Sequence, residues 1–423
     1  MSDKNIVSQT FNTGESSNFE ALALNVQKYA PKNVNITSTT GAVSGDVVFE
    51  FSTPKDTFLD LYKTYMSADI LENETINDTV MANDKLLLPC MFQRGVVIIN
   101  GTRVATSNNY TQDGYLSRRI QFGKSYNQSV NSMFNPAWDV IPAAAYVVPA
   151  TDATKKYVSR DTLDSFWIRQ EEGLIVPPNS NIRFEFSFDQ NWRAKNVFTG
   201  TGVLQNTAGM GARIQALWMH PCFYVAPEEV KSSYRFRFIG LNSFAYTMPS
   251  GSGTLNLQYT VSPKVVKMAL TMQAVNYNVI AANKRTAAFM FDNSAGIQTL
   301  QFKHGNLVFP QSMYNFSYGL DDAYEDYVNH SQQILKDSGK EDIDVYSNSK
   351  LNVSTLTTTT YLNNWGPVFL APIVKDITDP TNTMEVNATF TGVANNTYVF
   401  LSSLEEQAVE FSQEDGAIST IFV

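Results

Sequence analysis

The chain has 423 residues, 31 of them Lys or Arg against 40 Asp or Glu; its formal charge is -9, and charged residues make up only 17% of it. An acidic chain with no clustered basic residues is a poor ligand for nucleic-acid phosphates, so sequence-specific nucleic-acid binding is set aside. Hydrophobic residues at 43%, with 27 Phe and 20 Tyr, supply ample core for two domains of about 200 residues each and favour pleated, half-buried surfaces.

The leader, MSDKNIVSQTFNTGESSNFE, lacks the apolar centre of a signal peptide, and the first 40 residues carry only Lys4, Lys28 and Lys32 as basic groups. No later stretch is long and apolar enough for a transmembrane segment, so a soluble product of the cytosol or nucleus is expected. Sequons at Asn35, Asn73, Asn100 and Asn387 then carry little weight in so Asn- and Thr-rich a chain.

Strand-like runs follow at short intervals: Val47 to Phe51, Phe58 to Tyr65, Val96 to Ile99, Phe166 to Ile168, Ile182 to Phe188 and Ile214 to Tyr224. Val96 to Ile99 shows no polar alternation, which predicts cover on both faces, and Asn100-Gly101 supplies the positive φ angles of a two-residue hairpin turn. The polar segment Asn108 to Gln112 is expected at the domain rim. NIRFEFSF places Ile182, Phe184, Phe186 and Phe188 on one face, and the Pro177-Pro178-Asn179 turn introduces it. The long, Gly-rich stretch from Asn191 to Arg213 is expected to project from the β core.

The second half repeats this texture in SYRFRFIGL, TLNLQYTV, IQTLQF, NLVF, TMEVNATF and TYVFLSSL. PPNSNIRFEFSF lies over DPTNTMEVNATF, aligning Pro178 with Pro380 and Phe188 with Phe390 at an offset of about 200 residues, which suggests two copies of one β domain. One segment departs from the pattern. GLDDAYEDYVNHSQQILKDSG, from Gly319 to Gly339, sets Leu320, Ala323, Tyr324, Tyr327, Val328, Ile334 and Leu335 on one helical stripe, with acids first and Lys336 last, and predicts a docked helix.

No catalytic constellation emerges. The three histidines, His220, His304 and His330, lack metal-ligand spacing, and His220 before Pro221 reads as a satisfied core or rim residue. No Gly-x-Ser-x-Gly occurs; SGSGTL near Gly251 reads as a flexible hairpin loop, and Gly200, Gly202, Gly209 and Gly211 are not followed by a phosphate-loop Lys. Glu171 and Glu172, like Glu405 and Glu406, are adjacent, so on a strand each pair points to opposite faces and reads as solvated strand ends. Trp138, Trp192 and Trp365 are the candidates for sugar stacking. Cys90 and Cys222 read as free buried thiols, with a single bridge as the alternative. No residue is therefore assigned as catalytic, cofactor-binding or metal-ligating, and no cofactor is expected.

LLLPCMFQRGVVIINGTRVATSNNYTQDGYLSRRIQFGKSYNQS, Leu86 to Ser129, and the closing WGPVFLAPIVKDITDPTNTMEVNATFTGVANNTYVFLSSLEEQAVEF resemble the corresponding parts of double jelly-roll major capsid proteins, the lineage of Polinton-like viruses, virophages and adenovirus hexon. The resemblance implies two tandem eight-stranded antiparallel β-sandwiches with a few short helices: an N-terminal arm over 1–43, a first jelly roll over 44–229 and a second over 230–423. In the first, a strand, an Asn-Gly turn and a Tyr-containing segment would lead to a short helix. It also implies a non-enzymatic, virion-located protein that forms homotrimeric, pseudo-hexameric capsomers and tiles an icosahedral shell around a DNA genome. Its partners would be copies of itself, neighbouring trimers, and penton and minor or cement proteins. The rival is a tandem β-sandwich carbohydrate-binding protein, lectin-like or fibre-associated, and a β-sandwich hydrolase is a third reading.

Overall fold

The fold was analysed in a computed structural model, which describes residues 20–21, 27–32, 46–73, 88–121, 156–168, 174–188, 211–225, 233–274, 297–315, 369–373, 382–393, 397–414 and 417–422. These form four antiparallel sheets. Sheet 1 runs β1 (Glu20–Ala21), β10 (Gly211–Val225), β3 (Thr57–Asn73), β6 (Lys156–Asp161), with β8 (Ile175–Val176) also on β3. Sheet 2 runs β2 (Asp46–Ser52), β9 (Asn181–Phe188), β4 (Phe92–Ile99), β5 (Thr102–Ser107). Sheet 3 runs β16 (Phe369–Pro372), β13 (Val265–Ala274), β18 (Thr397–Glu414), β11 (Ser233–Thr247), β7 (Trp167–Ile168), with β19 (Ala417–Phe422) on β18. Sheet 4 runs β12 (Gly251–Thr260), β17 (Thr383–Val393), β14 (Ile297–His304), β15 (Leu307–Asn315).

The order is used twice. Reading β1-β10-β3-β6 beside β11-β18-β13-β16, and β2-β9-β4-β5 beside β12-β17-β14-β15, eight strands recur in the same chain order and the same sheet positions. Two facing four-stranded sheets with this connectivity make a jelly roll, and the chain is a double jelly roll. The internal sequence match falls on equivalent strands, since β9 lies between β2 and β4 as β17 lies between β12 and β14.

Local chemistry explains the first sandwich. On β9 the alternation of NIRFEFSF leaves Ile182, Phe184 and Phe186 fully buried. Asn100 and Gly101 have φ of 49° and 81°, the doubly positive pair that joins β4 to β5 in a tight hairpin. Asn100 also accepts from the Asn181 amide through Oδ1 at 2.7 Å, while its own amide donates to the Asn181 carbonyl at 2.8 Å. The Pro177-Pro178-Asn179 turn is pinned by buried Thr53, whose Oγ1 donates to the Pro177 carbonyl at 2.8 Å and accepts from the Ser180 amide at 2.7 Å.

Residues 27–32 bridge the two sheets of this sandwich. Tyr29 exchanges two 2.9 Å backbone bonds with Met219 of β10, and the Lys32 amide donates to the Val48 carbonyl of β2 at 2.7 Å. The Tyr29 ring stacks on Phe51 at 4.8 Å, and Lys32 Nζ lies 2.7 Å from Glu50.

Val96, Val97 and Ile99 are buried but Ile98 is only half-buried, so the cover expected on both faces of this run is complete on one face and partial on the other. Val97 and Ile99 join the core; Val96 and Ile98 pair in register with Glu185 and Arg183, which form a 2.7 Å ion pair on the outward side. The single α-helix among the described residues is α1 (Tyr110–Gln121), preceded by a 3-10 turn at Pro89–Met91. The helix expected over 319–339 lies outside the described residues, as does the expected projecting loop up to residue 210. SGSGTL is not a hairpin loop: all of it but Ser250 lies in β12, and Met248–Ser250 form the corner that carries the chain from β11 in sheet 3 to β12 in sheet 4, with Gly251 at a φ of 94°.

Candidate functional site at the seam between the jelly rolls

Helix α1 is where the two sandwiches meet. Its sequence, YTQDGYLSRRIQ, is too polar to announce a buried element, yet Tyr110, Thr111, Asp113, Leu116 and Ser117 are each at most 1% exposed. The inward polar groups are all bonded. Thr111 Oγ1 lies within hydrogen-bonding distance of the Pro89 carbonyl at 3.2 Å and the Phe92 carbonyl at 3.1 Å, and Ser117 donates to the Trp167 carbonyl at 3.1 Å. Tyr110 donates to Asp161 Oδ2 at 2.8 Å, and burial together with the Asp161 charge pushes its phenol well above the ordinary range. Only Asn108 of the segment expected at the rim is exposed; Tyr110 and Thr111 are core residues, because hydrogen bonds compensate their polarity.

Aromatic contacts continue across the seam. Phe166 and Trp167 pack on Tyr110 and on Phe238 of β11, at 5.3 Å for Phe166–Tyr110 and 6.5 Å for Trp167–Phe238. Phe58 meets Tyr234 edge to face at 5.7 Å, and Tyr234, Phe236, Phe238, Val409 and Phe411 share one hydrophobic cluster with the first sandwich. β7 adds backbone bonding, since Ile168 pairs with Ile239 and Trp167 with Gly240. Beside it opens a groove of about 210 Å³, lined by Arg103, Asn108, Phe166, Asn242, Glu405 and Gln407 among others.

The deepest polar feature of the seam is Asp113. Its Oδ2 accepts from Ser107 of β5 at 2.5 Å and its Oδ1 from Ser243 of β11, whose hydroxyl also lies 2.6 Å from that of Ser402 on β18. Asn109 Nδ2 donates to the Ser243 carbonyl at 2.8 Å. Burial raises the Asp113 carboxyl to about 6, against the two serine hydroxyls, which lower it.

The residues weighed as catalysts are dispersed. His220 is half-buried on β10, stacked on Tyr65 at 4.5 Å, with Nε2 2.7 Å from Ser67 Oγ. Desolvation, then the charges of Arg160 and Lys28, lower it to about 4, so it is neutral above that pH. His304 is buried at the end of β14, and His330 lies outside the described residues. Glu405 accepts from Ser403 at 2.7 Å while Glu406 is exposed; Glu171, Glu172, Trp138, Trp192 and Trp365 lie outside the described residues. Cys222 is a free, half-buried thiol, and burial raises its pKa. Among the described residues no three His, Cys, Asp or Glu side chains gather as a metal site, and no helix is long and apolar enough to cross a membrane.

Sheet 4 presents a different kind of surface. Its inner residues Leu255, Leu257, Leu300, Phe302, Val386 and Ala388 are buried. On the alternate positions, cross-strand rows read Thr254-Thr389-Thr299, Asn256-Asn387-Gln301 and Gln258-Glu385-Lys303. Thr299 and Thr389 hydroxyls lie 2.6 Å apart, and Lys303 pairs with Glu385 at 3.5 Å, so these rows form a polar wall whose Lys303 and Glu385 charges are paired.

A doubled strand order fused through an aromatic and hydrogen-bonded seam defines a double jelly-roll protein. Solved structures share it over nearly the whole chain. A chain of the Sputnik virophage structure superposes with a TM-score of 0.59 at 12% identity, covering 94% of this chain and 88% of that one. The PBCV-1 virus capsid gives 0.57 at 10% identity, covering 97% and 98%, and the mavirus major capsid protein gives 0.50 at 13%, covering 100% and 93%. No protein-family model matches the sequence, and no curated protein matches it.

Proposed function

We propose that this chain is a viral major capsid protein, which trimerises into pseudo-hexameric capsomers and tiles an icosahedral shell around a DNA genome. The observation that carries the reading is the doubled eight-strand order within one chain, shared end to end with solved capsid structures. Three such chains around one axis present six similar lobes, so a trimer fills a hexagonal position. Residues 44–229 and 230–423 would supply the two lobes of each subunit, with 1–43 as an arm. The polar wall of sheet 4 suits contacts that form and dissolve during assembly, since interfaces between separately stable units are polar and modest in area. Penton and minor or cement proteins would complete the shell in the host cytoplasm or nucleus. The role is structural, not enzymatic.

Native mass measurement with negative-stain microscopy tests this. The expected result is a stable trimer of about 140 kDa, three times the chain's 47.2 kDa, with a six-lobed outline. A monomer at micromolar concentration that shows a sugar-dependent thermal shift would replace the reading with a carbohydrate-binding one.

A further inference from the structure

An ionised carboxylate held only by hydroxyls, in a site closed to water, lacks the charge compensation that buried acids ordinarily have. Asp113 is such a group: it is 1% exposed, as are Ser107 and Ser402, and Ser243 is 8% exposed. Among the described residues no Lys, Arg or His pairs with it. The carboxyl belongs to the first jelly roll, through α1 and β5, whereas Ser243 and Ser402 belong to the second, through β11 and β18. Its bonding therefore spans the seam.

We infer that Asp113 is a proton-operated latch between the two jelly rolls, closed when the carboxyl is protonated and loosened when it ionises. Protonation changes the carboxyl from a pure acceptor into a donor as well. The Ser243 proton is then free to turn toward Ser402, and the four-group chain keeps its hydrogen bonds with no buried charge. Ionisation leaves a charge in the same site, and separating α1 from β11 to admit water is the way to solvate it. The N-terminal turn of α1 favours the ionised form, whereas burial, the largest cause acting on the carboxyl, favours the neutral one.

Among the described side chains, the surrounding ionisable groups do not set the effect. Tyr110, Asp161 and Asp164 flank the helix; β4 carries Arg94, β5 Arg103, β11 Tyr234, Arg235, Arg237 and Tyr246, and β18 Tyr398, Glu405, Glu406, Glu410 and Glu414. The pre-helix turn carries Cys90 and the helix sequence itself Tyr115, Arg118 and Arg119, while β7 carries none. The causes acting on Asp113 are burial upward and the Ser107 and Ser243 hydroxyls downward. Because the folded value, about 6, lies above the ordinary 3.8, the stabilisation is complete below pH 4 and lost as pH rises through 6.

The inference holds whether or not the chain trimerises, because both sides of the latch lie in one polypeptide. Its test is urea unfolding of the full chain and Asp113→Asn from pH 4 to pH 8, with hydrogen exchange followed at β11 amides around Ser243. The wild-type unfolding constant, relative to that of the Asn variant, should rise roughly a hundredfold over this range. Exchange, corrected for its intrinsic pH dependence, should quicken near pH 6 in the wild type only. Parallel curves for the two proteins overturn the latch. Ser243→Ala gives a second reading if the Asn variant does not fold: deleting a donor to the carboxylate should move the exchange midpoint to higher pH, and an unmoved midpoint overturns it.

Discussion

Position 95 shows how little room the first core leaves. A Cβ on Gly95 would lie 2.7 Å from Phe166 Cζ and 2.8 Å from the Tyr110 ring, both fully packed aromatics rather than flexible chain ends. Gly95→Ala should therefore lower stability by about 1–3 kcal/mol through overpacking, read as a fall in the urea midpoint with an unchanged slope. A midpoint equal to that of the wild type would mean the rings yield freely. Nothing in the local sequence marks this glycine, since one of its neighbours comes from a segment some 70 residues away. Asn100-Gly101 is the opposite case, because the turn's demand for positive φ is written in the two residues themselves.

Among elements, α1 is the instructive one. Strands such as NIRFEFSF were legible because burial alternates with hydropathy, and β9 forms where that alternation places it. α1 was legible only through resemblance to capsid proteins, which implied a short helix after the Tyr-containing segment. Its inward face carries Thr111, Asp113 and Ser117, whose burial depends on partners supplied by Pro89, Phe92, Ser107, Trp167 and Ser243. Hydropathy periodicity is blind to such a face, because hydrogen bonds rather than apolar area compensate it. Thr111→Val keeps the shape and deletes the donor to two carbonyls. It should cost about 1–3 kcal/mol and weaken the near-ultraviolet circular dichroism of the surrounding aromatics. A thermally neutral substitution would show that the helix is held by Tyr110 and Leu116 alone.

Over the whole molecule, the duplicated architecture was visible as one strand match, Pro178 to Phe188 against Pro380 to Phe390, and that match falls on equivalent strands. The seam was not visible, since it depends on which faces of β7, β11 and α1 meet after folding. The charge of -9 sets a condition on assembly. If the chain forms capsomers as proposed, these like-charged particles repel one another, and salt screens that repulsion over about 10 Å at 0.1 M. Association of purified trimers should therefore strengthen with added sodium chloride, seen as rising light scattering; scattering that falls steadily as salt increases would place attractive ion pairs at the contacts instead.

The two-residue strand β7 has a larger effect than its length suggests. Trp167 and Ile168 come from the first half of the chain but close the edge of a sheet otherwise built from the second. Cutting the polypeptide between residues 225 and 233 would not release two soluble proteins. One fragment would keep a strand with nothing to pair with, and the other would show Tyr234, Phe236 and Phe238 to water. Although the repeat unit is countable as two, the molecule has to fold as one, so its halves are not interchangeable modules.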